Sequence, residues 1–261
     1  MTEHPRKLLE KKLITIASGK GGVGKTWVSV TLAHTLASLG RKVLLFDGDL
    51  GLANVDIQLG FMPERDLGDV IAGNMTLKEA ISTYEDTGNS TGQLDIIAGK
   101  SGSGSLGNLA RERLVQIRSD LIDLAKDYDH VVLDLAAGVD SSVNILSFHK
   151  GIVLTVLTAD PTSLTDAYAF IKLTHMRDPN SNIQIVVNNV PSKQEGKKAY
   201  EALNKACDSF LKFSPKLATI IKSDTRVVES IRSQTPILSR HPQADAAEAI
   251  LELAEKIPLV K

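Results

Sequence analysis

Short apolar runs rich in branched residues alternate with longer segments of helical period along almost the whole chain. The runs at 13–17, 42–46, 94–97, 130–133, 152–157, 183–187 and 217–221 are strand-length and mostly apolar on both faces, the pattern of buried parallel strands. Helical periodicity predicts helices over 25–39, 106–126, 163–174, 193–210, 225–233 and 244–257. Strands and helices that alternate this regularly predict an α/β fold, a doubly wound, mostly parallel sheet with helices on both faces. Two polar stretches, 86–93 and 100–108, flank the third run at 94–97 and are expected as surface loops, because periodic segments resume beyond them without a shift in composition. The expected organisation is one domain over 13–261 behind a flexible, solvated arm at 1–12, whose apolar content is the pair Leu8 and Leu9.

Composition narrows the class. With 43% apolar and 23% charged residues in 261, the chain is neither disordered nor collagen-like. Its apolar runs, such as GIVLTVL at 151–157, fall far short of the roughly 18 residues a membrane-spanning helix needs. Thirty basic residues against 31 acidic ones leave a net charge of −1, so bulk electrostatics gives no support for a nucleic-acid or anionic-membrane partner. Cys207 is the single cysteine, which excludes a disulfide or a paired-cysteine metal site within one chain and suits a reducing compartment. The expected location is the cytoplasm, with any recruitment to the membrane or cell pole left to partners.

The candidate chemistry begins where the first apolar run meets Gly19-Lys20-Gly21-Gly22-Val23-Gly24-Lys25-Thr26, a GxxxxGK[ST] string between a strand and a helix. Glycines there let backbone N–H groups curl around an anion, and the following helix adds its positive N-terminal dipole. Lys25 is placed to reach the β and γ phosphates and the Thr26 hydroxyl to bind Mg²⁺. Further on, Asp47 and Asp49 end the second run and project to one side of an extended chain. Asp134 ends the fourth, the arrangement that binds Mg²⁺ through water. The Ala-Ala-Gly that follows, up to Gly138, gives a backbone free to swing when a γ-phosphate leaves. Asn188 and Asn189 close the run at 183–187, each with an amide whose donor and acceptor complement the edge of adenine.

With Lys20 inserted before the glycines, the loop resembles the deviant Walker A motif of the MinD/ParA family of ATPases. The segment from Asp47 to Asp56, DGDLGLANVD, resembles that family's first switch. The resemblance runs from about Leu13 to Ile257 and is closest to the branch of flagellar-number regulators (FlhG, FleN, YlxH), on the strings DLGLANVD at 49–56 and DPTSLTDAY at 160–168. It implies ATP and Mg²⁺ as ligands, slow and partner-stimulated hydrolysis, and an ATP-dependent homodimer that engages a regulatory or activating protein. The implied catalytic residues are Lys20, which crosses to the partner's nucleotide, Lys25, and Asp49, which activates water. Nucleotide binding falls to Gly21, Gly22, Val23, Gly24, Lys25, Thr26 and Trp27, with Asn188 and Asp224 at the base. Thr26, Asp47 and Asp134 serve Mg²⁺, partly through water, while Asn54 and Gly138 belong to the switches.

Two departures stand out: Lys222-Ser223-Asp224 replaces the family's Pro-x-Asp, and the helix at 244–257 has an acidic outer face of Asp245, Glu248, Glu252 and Glu255. The second favours packing of that helix on the domain over binding to anionic lipid. The arm also lacks the glutamine-containing activator motif of some flagellar members. Other readings are ParA-type DNA or cargo partitioning, with Arg111, Arg113, Arg118 or Lys193, Lys197 and Lys198 as a basic surface, and MinD-type control of the division site. An iron-sulfur carrier lacks its cysteines, and a non-hydrolysing scaffold fits poorly with Lys20, Asp49 and Asp134 together.

Overall fold

The structure, a computed structural model, describes residues 5–49, 53–85, 91–99, 106 and 109–260. In chain order the elements are α1 (Pro5–Lys11), β1 (Leu13–Ala17), α2 (Lys25–Ser38), β2 (Lys42–Gly48), α3 (Val55–Leu59), α4 (Leu67–Ile71), β3 (Ser82–Tyr84), β4 (Gln93–Ile97), α5 (Arg111–Leu124), β5 (His130–Leu135), α6 (Ser141–Leu146), β6 (Ile152–Leu157), α7 (Pro161–Arg177), β7 (Asn182–Val190), α8 (Lys193–Leu211), β8 (Lys216–Lys222), α9 (Thr225–Arg232), α10 (Ile237–Arg240) and α11 (Asp245–Lys256). The strands form one sheet in the order β3-β4-β2-β5-β1-β6-β7-β8. β3 runs antiparallel to β4, and the remaining pairings are parallel.

Alternation along each strand feeds two separate cores. Leu13, Leu44 and Phe46 point into a layer shared with Leu114 and Leu121 of α5, Phe170 of α7 and Leu203 of α8. Ile14, Ile16, Val43 and Leu45 point into the opposite layer, with Val28, Leu32 and Leu36 of α2 and Ile250 and Leu253 of α11. A period of two therefore loads both faces, which is why the runs read as apolar throughout. α2 is buried nearly all round because α11 lies across it. The acidic face of α11 is turned to solvent while Ala246, Ala247, Ile250, Leu253 and Ala254 are buried, in line with the packing role expected from its charge.

The structure departs from the sequence reading at several points, the short helices α3, α4, α6 and α10 among them, which no periodic segment announced. The arm expected to be flexible is helical over Pro5–Lys11. It is tied down by Arg6 donating to Ser119 Oγ (2.7 Å), by Lys12 Nζ donating to Ala125 O (3.0 Å) and Tyr128 O (2.7 Å), and by Leu9 against the core. β3 was not foreseen, since Ser-Thr-Tyr at a half-exposed sheet edge carries no apolar run. The helix expected from 106 starts at Arg111: Leu106 is buried ahead of it, and Leu109 N–H closes a turn on Leu106 O. β2 and β5 extend further than expected, so that Asp47 and Asp134 lie inside the strands. Of the expected loops, 86–90, 100–105 and 107–108 lie outside the described residues, as do 50–52 of the first switch string.

Candidate functional site

The loop between β1 and α2 is shaped by positions that only glycine fills easily. Gly22 and Gly24 have φ of 78° and 88°, in the left-handed region that penalises a Cβ. A Cβ on Gly24 would stand 2.3 Å from Asn188 Nδ2, and one on Gly19 would stand 2.1 Å from the Asp166 carbonyl of α7. The loop is thus pressed between the end of β7 and the start of α7. Gly21 and Gly22 are exposed, Val23 and Trp27 are buried, and Thr26 is half-buried on the first turn of α2.

Three carboxylates gather around one lysine beside this loop. Asp47 and Asp134 are direct partners across the β2–β5 pairing and are almost wholly buried. Lys25 Nζ donates to Asp134 Oδ1 at 2.8 Å and lies 4.0 Å from Asp49 Oδ2. Ser29, one helical turn after Lys25, donates to the same Asp134 Oδ1 at 2.9 Å. Asp47 accepts from the N–H groups of Asp49 (3.1 Å) and Val55 (3.3 Å). Burial, and then the charge of Asp134, push the Asp47 carboxyl up to about 7. Asp134 Oδ2 is buried with no hydrogen-bond partner among the described residues. An orphaned carboxylate oxygen beside a second, crowded carboxyl fits a hard divalent cation with its water shell. No cluster of three or more His, Cys, Asp or Glu forms a closed metal cage among the described residues.

On the other side of the loop a cavity of about 190 Å³ is lined by Gly22, Gly24, Trp27, Asn188, Asp224 and Val228, among others. Asn188 Nδ2 donates to Val23 O at 2.8 Å, so this amide braces the loop as well as lining the cavity. Asn189 takes φ of 55° and accepts from Ser223 Oγ at 2.7 Å. The Asp224 carboxylate caps α9 and holds Arg226 through two oxygens at 2.8 and 2.9 Å, which keeps it below the usual carboxylate range. Lys222, standing where the family has proline, pairs with Asp245 of α11. A larger groove of about 840 Å³ lies between 73–79 and α5, and its described lining includes no residue of the loop from Gly19 to Thr26.

The remaining expected residues sit at the rim. Lys20 Nζ donates to Thr162 Oγ1 at 2.7 Å, on the first turn of α7 in the same chain. Gly138, at φ of 107°, donates its N–H to Ser18 O (2.8 Å) and so ties the segment after β5 to the start of the loop. Asn54 is the N-cap residue of α3, next to the buried Ala53. The structure therefore brings Lys20, Lys25, Asp47, Asp49 and Asp134 to one edge of the sheet, with Asn188 and Asp224 at the flanking cavity. Sequence reading missed Ser29 and Thr162. Ser29 was legible as the i+4 neighbour of Lys25 on α2, whereas Thr162 meets Lys20 only through the tertiary fold.

Comparison with known proteins agrees with this geometry. The model of the CobQ/CobB/MinD/ParA nucleotide binding domain matches residues 14–237. The chain is 36% identical over 248 residues to the antiactivator FleN of Pseudomonas aeruginosa, covering 94% of this chain and 86% of that protein. It is 33% identical over 194 residues to the flagellum site-determining protein YlxH of Helicobacter pylori, covering 74% and 63% respectively. Among solved structures, MinD of Pyrococcus horikoshii, described as complexed with Mg-ADP, superposes with a TM-score of 0.76 at 23% identity, over 95% of this chain and 96% of that one. A strand-loop-helix phosphate cradle, paired buried aspartates and this extent of similarity make the chain a member of the CobQ/CobB/MinD/ParA family of nucleotide-binding domains.

Proposed function

We propose that this chain is an ATPase that works as an ATP-dependent dimerisation switch, controlling the placement or number of a cellular structure, with flagella the structure its relatives point to. The observation that carries the reading is the joint placement of Lys20, Lys25, Asp47, Asp49 and Asp134 at one edge of the sheet. FleN and YlxH, whose names concern flagella, support the process.

In this reading the N–H groups from Gly21 to Thr26 cradle the phosphates, and Lys25 exchanges Asp134 for the β and γ phosphates. Thr26, Asp47 and Asp134 would hold Mg²⁺, which would supply positive charge to offset that of the transferred phosphoryl group. Asp49, less buried than the other two, orients the attacking water. Lys20 leaves Thr162 to reach the nucleotide of a second copy, supplying positive charge in trans as an arginine finger does. Trp27, Asn188 and the backbone at Asp224 enclose the base. Asn54 and Gly138 flank segments that report the γ-phosphate to a protein partner. The chemistry is the timer, slow until the partner stimulates it.

A DNA-partitioning role draws little support from the arginines of α5. Arg113 and Arg118 are spent on the carbonyls of Val70 (2.6 Å) and Phe148 (2.9 Å). No helix among the described residues is long and apolar enough to cross a membrane.

The test is sedimentation with ATP, ADP and no nucleotide, in wild type and in the Lys20→Ala and Asp49→Ala variants. ATP should double the mass of the wild type. Lys20→Ala should bind nucleotide yet stay monomeric or turn over at least tenfold more slowly, and Asp49→Ala should stay dimeric without releasing phosphate. An ATP-insensitive mass in the wild type, or normal phosphate release by Asp49→Ala, overturns the assignment.

A further inference from the structure

A bridge outside the proposed chemistry joins the cavity beside the phosphate loop to the carboxylates. α9 walls that cavity with Val227, Val228 and Ile231. It is lightly packed, since Ser230 alone among its eight residues is buried and Val228 is 49% exposed. A helix held this loosely gains apolar contact when the space against it fills. α3 belongs to the carboxylate side: its first residue, Val55, donates its N–H to Asp47 Oδ2 at 3.3 Å.

Gln234 connects the two helices. Its N–H donates to Ile231 O and that of Thr235 to Ser230 O, both at 3.1 Å, so the turn it occupies is a rigid continuation of α9. The side-chain Nε2 donates to Ile57 O, inside α3, at 3.1 Å. That same carbonyl accepts from Gly60 N–H at 3.4 Å, where α3 ends. Gln234 has φ of 52° and Gly60 of 61°, and a Cβ on Gly60 would stand 3.0 Å from Gln234 Cβ. The two turns are thus in close contact. A left-handed residue just past a helix end is usually glycine, and a glutamine holds that backbone only where its surroundings fix it. Here the side chain that glycine would lack is the one that spans to α3.

From this bridge we infer that Gln234 is a positioning residue, through which occupancy of the base cavity orders α3 and, with it, the Val55 donor on Asp47. The inference rests on the nucleotide reading of the site given above. A base against Val228 and Ile231 steadies α9, the turn at Gln234 follows, and the bond to Ile57 O fixes α3 beside the carboxylates. A ligand made of phosphates alone fills the loop and leaves α3 unchanged. One hydrogen bond to a carbonyl carries a coupling of about fivefold in an equilibrium constant.

Hydrogen exchange of the full chain reads the coupling without turnover. The amide protons of Gln58, Gly60 and Phe61, which are bonded to carbonyls of Asn54, Ile57 and Asp56, are followed with saturating ADP or pyrophosphate, both in EDTA. ADP should slow them about fivefold and pyrophosphate less than twofold, while both slow the amides from Gly21 to Val28. Gln234→Glu places an oxygen that cannot donate against Ile57 O, and Gln234→Gly keeps the left-handed turn without a side chain. In both variants ADP should still protect the loop and no longer protect α3. Protection of α3 by ADP that survives in both variants, or equal protection of α3 by pyrophosphate, overturns the inference alone. Absence of protection in the loop with either ligand overturns the nucleotide reading, and the inference with it.

Discussion

His149 offers a quantitative test of the packing under the sheet. The ring is 4% exposed, and both its nitrogens are engaged. Gly151 N–H donates to Nδ1 (3.0 Å), which leaves the proton on Nε2 to be donated to Thr15 Oγ1 at 2.7 Å. A second proton would set an N–H against the N–H of Gly151. Burial, and then Arg118 and Arg177, push the ring down to about 3. The unfolded chain takes up a proton near pH 6.5, so below that value the unfolded state binds more protons than the folded one. Stability is therefore fully present above pH 6.5 and declines as the pH falls towards about 3. At pH 5 the unfolded ring is ahead by about 1.5 pH units, or roughly 2 kcal/mol at 1.36 kcal/mol per unit.

Asp47 acts in the opposite sense, since its raised folded value lets the folded state gain protons as the pH falls through 7. His130, held down at about 4, acts in the same sense as His149. A comparison with His149→Gln removes both of these from the measurement. The amide can still donate to Thr15, so the variant should fold, at a cost of about 1–3 kcal/mol at pH 7.5. Urea denaturation at pH 7.5 and pH 5 should then show the gap between wild type and variant shrinking by about 2 kcal/mol. A gap of equal size at both values refutes the neutral, doubly bonded ring.

The other predictions concern the nucleotide edge and its cover. Gly24→Ala should cost about 1–3 kcal/mol through its left-handed backbone and, by displacing Asn188 from Val23 O, weaken a fluorescent ATP analogue more than tenfold; affinity within twofold of wild type would contradict the bracing role. Thr162→Val should free Lys20 and shift the ATP-dependent dimer midpoint by about 1 kcal/mol, roughly fivefold in concentration, towards dimer in light scattering, whereas an unmoved midpoint counts against Thr162 as the holder of Lys20. Removing residues 245–261 should abolish the cooperative thermal transition, because Ile250 and Leu253 alone account for about 3–6 kcal/mol out of a usual 5–15; an unchanged melt would show that α11 is dispensable to the core.

The parts legible in the sequence are those whose cause is local. The loop from Gly19 to Thr26 follows from a contiguous motif between a strand and a helix, and α11 from its period and one-sided acidity. What escaped reading depends on partners distant in the chain. Nothing in the string around Asp47 says that it faces Asp134, because β2 pairs with β5 across an out-of-order sheet. Asn188 carries an amide suited to a base edge, yet its donor is used on Val23 O, 165 positions away. The arm was misjudged for the same reason: its order comes from Ser119, Ala125 and Tyr128, and two leucines in twelve residues do not announce it.

The bond from Lys25 to Asp134 has a kinetic consequence. In a loop whose lysine pointed into water, each arriving phosphate would have to strip and order that cation. Here the ammonium is already desolvated and already paired, so on the function proposed above a phosphate would exchange one anionic partner of Lys25 for another, with Ser29 still placed on the vacated carboxylate oxygen. Such a displacement lowers net affinity by the strength of the bond given up, and it gives departing nucleotide an internal competitor. A protein that must pass repeatedly between nucleotide states is served by a cradle that resets itself.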